Sequence, residues 1–253
     1  MKQFSFAIIG MLMLVLCSLH GLSQKKTMTW TTKSKAASEL AHSGADHMMN
    51  NEFAQAYTDF LAALKLDPEF TIPLVFMSNL NTGETRKAYA QRALKSAVNK
   101  TEGEKLFASL VDEKMTPDNA RAVWAKLHTM FPDGEMLGNY YVISRATDEE
   151  RLAAAQDYVK KFPENGFMYN TLGYYYMNKK DMENAKKNFE KYISLHRDGP
   201  NAFDSMADYY EHNGDTANAR KYYTMALEHY PFFNSSVNAI QRMDDEKKKA
   251  ETK

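Results

Sequence analysis

Three side chains near the start of the chain have types and spacing suited to metal chemistry. His42, Asp46 and His47 fall in one short segment. On a helix His42 and Asp46 would share a face, with His47 one residue round. Two imidazole nitrogens and a carboxylate oxygen can ligate a transition metal. A closed site needs a fourth ligand, and neither an HExxH pattern nor a cysteine spacing supplies one. The three residues therefore read as polar groups on a helix, and no metal is expected. Other chemistry is weaker still. The 253 residues contain only 11 glycines, with no glycine-rich phosphate loop and no GxSxG elbow. Serines, histidines and aspartates occur without a motif that would gather them into a triad. No catalytic residue and no cofactor is assigned, and the chain reads as a non-enzyme. Two N-x-S/T triplets, at Asn99 and Asn234, would matter only on a eukaryotic secretory route.

Composition narrows the partners. Charged residues make up 25% and hydrophobic ones 44%, so a core can be buried. The 32 basic and 32 acidic residues cancel, leaving no long-range field of the kind that nucleic acid or an anionic bilayer requires. The N-terminus reads as a targeting segment. Lys2 supplies a positive end, Phe6 to Cys17 is an apolar run, and Gly21 and Ser23 place small residues at −3 and −1 for cleavage before Gln24. Residues 1–23 are thus expected to be a signal peptide, and the protein to be exported, periplasmic or secreted. Leu14-Val15-Leu16-Cys17 is similar to a bacterial lipobox, with bulky Leu16 where a small residue is normal. Membrane attachment is expected only through an uncleaved leader or lipidation at Cys17. Cys17 is the single cysteine, so the mature chain has no disulfide.

These elements hang on a repeat. Tyr169, Leu172, Gly173, Tyr176, Ala185 and Phe189 are answered by Phe203, Met206, Ala207, Tyr210, Ala219 and Tyr223, each pair 34 positions apart. The order aromatic-x2-apolar-small-x2-aromatic, followed by a small residue and an aromatic four later, resembles the tetratricopeptide repeat. The resemblance implies an all-α fold, an α-solenoid of stacked helix-turn-helix hairpins with a C-terminal capping helix. Carried along the chain, the register gives a flexible lead-in at 24–36 and six hairpins at 37–68, 70–100, 101–132, 134–165, 166–199 and 200–233. A capping helix and charged tail follow at 234–253. Trp30 is expected to dock on the first helix, Asn50-Asn51 to turn the first hairpin, and Gly44 and Ala56 to sit where its helices cross. The spacing from Pro132 to Pro163 is only 31, which predicts a shortened turn near Ala146-Thr147-Asp148 with Thr147 or Asp148 as cap.

What the resemblance implies for function is a protein-interaction scaffold that grips a partner in a concave groove lined by the first helix of each hairpin. By register, hairpin five presents Phe167, Asn170, Tyr174 and Met177, and hairpin six Asn201, Asp204, Asp208 and Glu211. Met48, Ile72 and Val75 are the corresponding offers of the first two hairpins. Such a groove would suit an extended or helical peptide carrying basic residues, since aromatics anchor and methionine adapts. The alternative is that Tyr174 and Met177 pack against neighbouring helices, as aromatic and methionine side chains at helical spacing often do. Two aspartates there would repel a C-terminal carboxylate, so the chaperone-tail ligand of some family members is not expected. The alternative reading is a structural subunit of an envelope or outer-membrane assembly complex, lipid-anchored at Cys17.

Overall fold

The computed structural model describes residues 25–251. The expected signal peptide, its cleavage point and Cys17 lie outside the described residues, as do the last two positions. Within them the chain is all helix, folded as an α-solenoid of paired antiparallel helices. Helix α1 (Lys35–Met49) starts where the Ser34 hydroxyl accepts from the Ala37 N–H. It turns at Asn50-Asn51, with Asn51 at φ 58°, and returns as α2 (Phe53–Leu66). The crossing is as expected. A Cβ on Gly44 would come within 2.7 Å of the Phe60 ring, so only glycine lets the two helices meet there.

The remaining pairs follow in order. They are α3 (Thr71–Asn79) with α4 (Gly83–Ala97), α5 (Glu102–Ser109) with α6 (Pro117–Met130), and α7 (Glu135–Ile143) with α8 (Asp148–Lys161). Next come α9 (Gly166–Asn178) with α10 (Met182–Leu195) and α11 (Pro200–His212) with α12 (Thr216–His229). A final helix, α13 (Asn234–Glu251), covers the last face and buries Ala239 and Met243 against α12. First helices of the middle pairs are short: 9, 8 and 9 residues, against 15 in α1 and 13 in α9 and α11. That loss of a turn is the physical form of the degraded register between hairpins two and four. Thr147 caps α8, accepting from the Glu150 N–H. In that hairpin Ala155 stands where hairpins one, three, five and six carry Phe60, Trp124, Phe189 and Tyr223. Tyr158 one turn later fills the space, reaching the Glu135 carbonyl at 2.8 Å.

The core is strung along the stack. One large cluster fills hairpins one to three, centred on Phe60, Phe76 and Phe107, and three smaller ones follow towards α13. Each hairpin buries its face only against its neighbours, as a solenoid must. The lead-in departs from expectation. Residues 25–33 are not loose but fastened across the first hairpins. The Thr31 N–H and hydroxyl donate to Glu104 at 2.7 and 2.8 Å, Thr32 reaches Asp67 at 2.6 Å, and Met28 is buried. Glu104 is fully buried, and a buried carboxylate needs several donors. Thr31 and Thr101 provide them. Trp30 stacks on His42 at 4.1 Å, which is the docking expected of it.

Candidate functional site

Two helices carry the candidate groove. The Asn165 side chain caps α9 by accepting from the Met168 N–H at 3.0 Å. Pro200 opens α11 at a position that needs no N–H donor. The groove positions of the two helices share one spacing, so each set forms a stripe one turn apart. The structure divides these residues. Met177 is buried among Ala185, Phe189 and Met206, so it is a core residue and not a groove contact. Its place near the end of α9 turns it towards α10. Asn170 is also buried, and its side-chain oxygen has no hydrogen-bond partner among the described residues. Phe167 packs half-buried against the cluster of Val142, Ala155 and Leu172. Ile72 and Val75 are buried too, because the short α3 is covered on every side. Hairpin two therefore contributes no apolar groove wall.

Tyr174, Asp204 and Asp208 are brought together. They face a cavity of about 460 Å³. Tyr174 donates to Asp208 Oδ2 at 2.6 Å, and its ring stands edge-on to Phe189. Tyr223 donates to Asp208 Oδ1 at 2.6 Å and to Glu211 at 2.7 Å. Glu211 also takes both of its Arg242 contacts from α13, so the capping helix occupies it. Burial alone would raise the Glu211 carboxyl, but the Tyr223 hydroxyl and Arg242 outweigh it and hold it below its usual range. Asp204 accepts from Ser236 at 2.5 Å. Burial, reinforced by the charge of Asp208, pushes Asp204 up to about 6 despite that bond. Burial likewise raises the hydroxyls of Tyr174 and Tyr223.

The far wall of the cavity was not legible from the repeat. It is residues 51–54, the turn of the first hairpin, brought some 150 positions along the chain to α11. Asn51 donates to Asn201 at 3.0 Å, Asn201 donates to the Tyr192 hydroxyl at 2.9 Å, and that hydroxyl donates to Asn50 at 3.2 Å. The arc of hairpins thus closes on itself through three amides and a phenol. Tyr230, Phe232 and Phe233 complete the rim. His42, Asp46 and His47 lie in a neighbouring cleft between α1 and residues 195–199. There His47 pairs with Glu52 and lies 3.8 Å from Asp59. Burial lowers His42 and His196. Among the described residues no group of three such side chains could hold a metal ion.

Helices α9 to α12 also match a known repeat by sequence. The tetratricopeptide repeat profile matches residues 168–198 and again 202–232. Both segments are tetratricopeptide repeats. Repeats of this family bind protein or peptide partners and generally serve as non-enzymatic scaffolds. Among solved structures, the Cut9–Hcn1 hetero-tetramer of the APC/C is similar in fold. Identity is 15%, coverage is 81% of this chain and 42% of that one, and the TM-score is 0.51. PilW, a type IV pilus biogenesis factor, is 14% identical over 82% of this chain and 99% of its own, with a TM-score of 0.49. YrrB, a tetratricopeptide protein with an unusual peptide-binding site, is 16% identical over 72% of this chain and 97% of its own, with a TM-score of 0.45. No curated protein matches the sequence. Among the described residues no helix is long and apolar enough to cross a membrane.

Proposed function

We propose that this protein is an exported interaction scaffold that captures a peptide segment of a protein partner on the concave face of hairpins five and six. One observation carries the reading: Tyr174, Asp204 and Asp208 converge on the lining of one cavity of about 460 Å³. Repeats of this kind expose such faces to partners, and Phe232 stands 74% exposed at the rim, where an aromatic anchor is useful. Export is supported by Lys2, the apolar run Phe6 to Cys17 and the small residues Gly21 and Ser23.

A photo-crosslinking residue at position 232, compared with one at exposed Lys187 on α10, tests the groove in living cells. A protein adduct formed from 232 and absent from 187 is expected. Equal labelling from both places, or labelling from 187 alone, removes the reading. N-terminal sequencing should find a chain starting at Gln24. A second reading, a lipid-anchored subunit of an envelope assembly complex, rests on Leu14-Val15-Leu16-Cys17. Acyl-chain labelling that depends on Cys17 would establish it in place of a free scaffold.

A further inference from the structure

We infer that the cavity between the first hairpin's turn and α11 is a receptor for one basic side chain, lysine or arginine, of the captured peptide. This rests on the groove reading above and names the chemistry of its partner. Two carboxylates one helical turn apart on α11, Asp204 and Asp208, line the cavity, while the Glu52 carboxylate at its edge is paired with His47 in the neighbouring cleft. Among the described residues that line it there is no lysine or arginine. The donors holding Asp204 and Asp208 are hydroxyls, from Ser236, Tyr174 and Tyr223. Hydroxyls satisfy the oxygens but leave the charge. Two carboxylates coupled in a poorly hydrated place draw a cation more strongly than they would in water.

The lining favours a long organic cation over a bare metal ion. No group of three metal-ligating side chains converges there among the described residues. The rim instead offers Phe232, 74% exposed, and Phe53, 49% exposed. A long basic side chain has an aliphatic stem to lay on such rings and a charged head to send past them, and a guanidinium or ammonium is attracted to aromatic faces. The cavity falls within the size range of ligand pockets. Phe53 belongs to the first hairpin, so the receptor is whole only when the arc is closed. The upward shift of Asp204 agrees with an acid that lacks a cation, since burial disfavours its charge.

The test is selection of random dodecapeptides on the purified protein, with seating read by crosslinking at position 232. Selected peptides should carry lysine or arginine at a fixed place. Replacing that residue with norleucine should weaken binding to the wild type by more than about tenfold. Asp208→Asn should weaken the basic peptide by a similar factor and leave the norleucine peptide unchanged, a difference that a merely structural effect would not produce. Phe232→Ala, at an exposed place that does not threaten the fold, should cost about threefold. Peptides that seat at 232 without a basic residue overturn the receptor while the groove stands. Peptides that never label 232, or no peptides at all, overturn both.

Discussion

The hydroxyl of Tyr174 lies 2.6 Å from Oδ2 of Asp208, which is its own counterpart 34 positions later. Equivalent places in successive hairpins thus touch each other across the groove. Asp208 takes a second hydroxyl from Tyr223, so one carboxylate ties α9 to α11 and α11 to α12. Tyr174→Phe removes one donor and keeps the ring edge-on to Phe189. A loss of about 1–3 kcal/mol is expected, because a hydrogen bond to a charged group disappears from a poorly hydrated place. Chemical denaturation should show it, with the circular dichroism spectrum unchanged. A variant as stable as the wild type would mean that the bond adds nothing to the stack.

Closure of the arc rests on Asn51 and Asn201, 3.0 Å apart. Asn201 is buried and spends its amide on Tyr192 and its oxygen on Asn51. A double-mutant cycle of Asn51→Ala and Asn201→Ala should give a coupling of about 0.5–1.5 kcal/mol. Small-angle scattering of Asn201→Ala should show a larger radius of gyration as the first hairpin swings away. An unchanged radius with no coupling would mean that the ends of the arc are held by something else.

Lys180 and Gly214 are also counterparts, and both adopt left-handed backbone, at φ 60° and φ 76°. An L-residue with a Cβ is strained in that region by roughly 1–2 kcal/mol, and glycine is not. Lys180→Gly should therefore stabilise the protein by up to about 1 kcal/mol, once the greater freedom of glycine in the unfolded chain is subtracted. Gly214→Lys should do the reverse. Melting temperatures that move in the same direction for both exchanges would show that turn strain is not the governing factor.

Much of this architecture was readable because local chemistry and the repeat agree. Gly173 cannot carry a Cβ, which would lie 2.5 Å from Phe189. That steric demand is written as glycine and aromatic at fixed separation, as it is for Gly44 and Phe60. Hairpin four hid the same packing because Tyr158 works from one turn further along than Phe60 or Phe189 do. The candidate site was half legible. Register placed Tyr174, Asp204 and Asp208 on one face, but it says nothing about depth, so buried Met177 and Asn170 looked the same as their neighbours. The wall from Asn51 to Ala54 left no signal at all. It depends on how far six hairpins curve, and curvature accumulates from small rotations that no single residue records. The lead-in carries no local sign of its order for a related reason: its anchors, Glu104 and Asp67, lie in other parts of the chain.

Asp204 makes the stability of the protein depend on pH in a direction opposite to that of a salt-bridged acid. Its carboxyl is pushed from 3.8 up to about 6, first by burial. Between those two values the unfolded chain has lost the proton while the folded chain keeps it. Stability contributed by this group therefore falls as pH rises through that window, and the penalty is complete above about pH 6. The displacement corresponds to about 3 kcal/mol at neutral pH. Asparagine can still accept from Ser236 and carries no charge. Asp204→Asn should then be more stable than the wild type by about that amount at pH 7.5, and the gap should close as pH falls towards 4. Other acids shift the absolute curves, so the difference between the two proteins is what reports Asp204. A gap that stays constant with pH would show that the buried charge is not its cause. A bound cationic peptide should also shrink the gap at pH 7.5, since its ammonium or guanidinium supplies to Asp204 the neutralising partner that hydroxyls cannot.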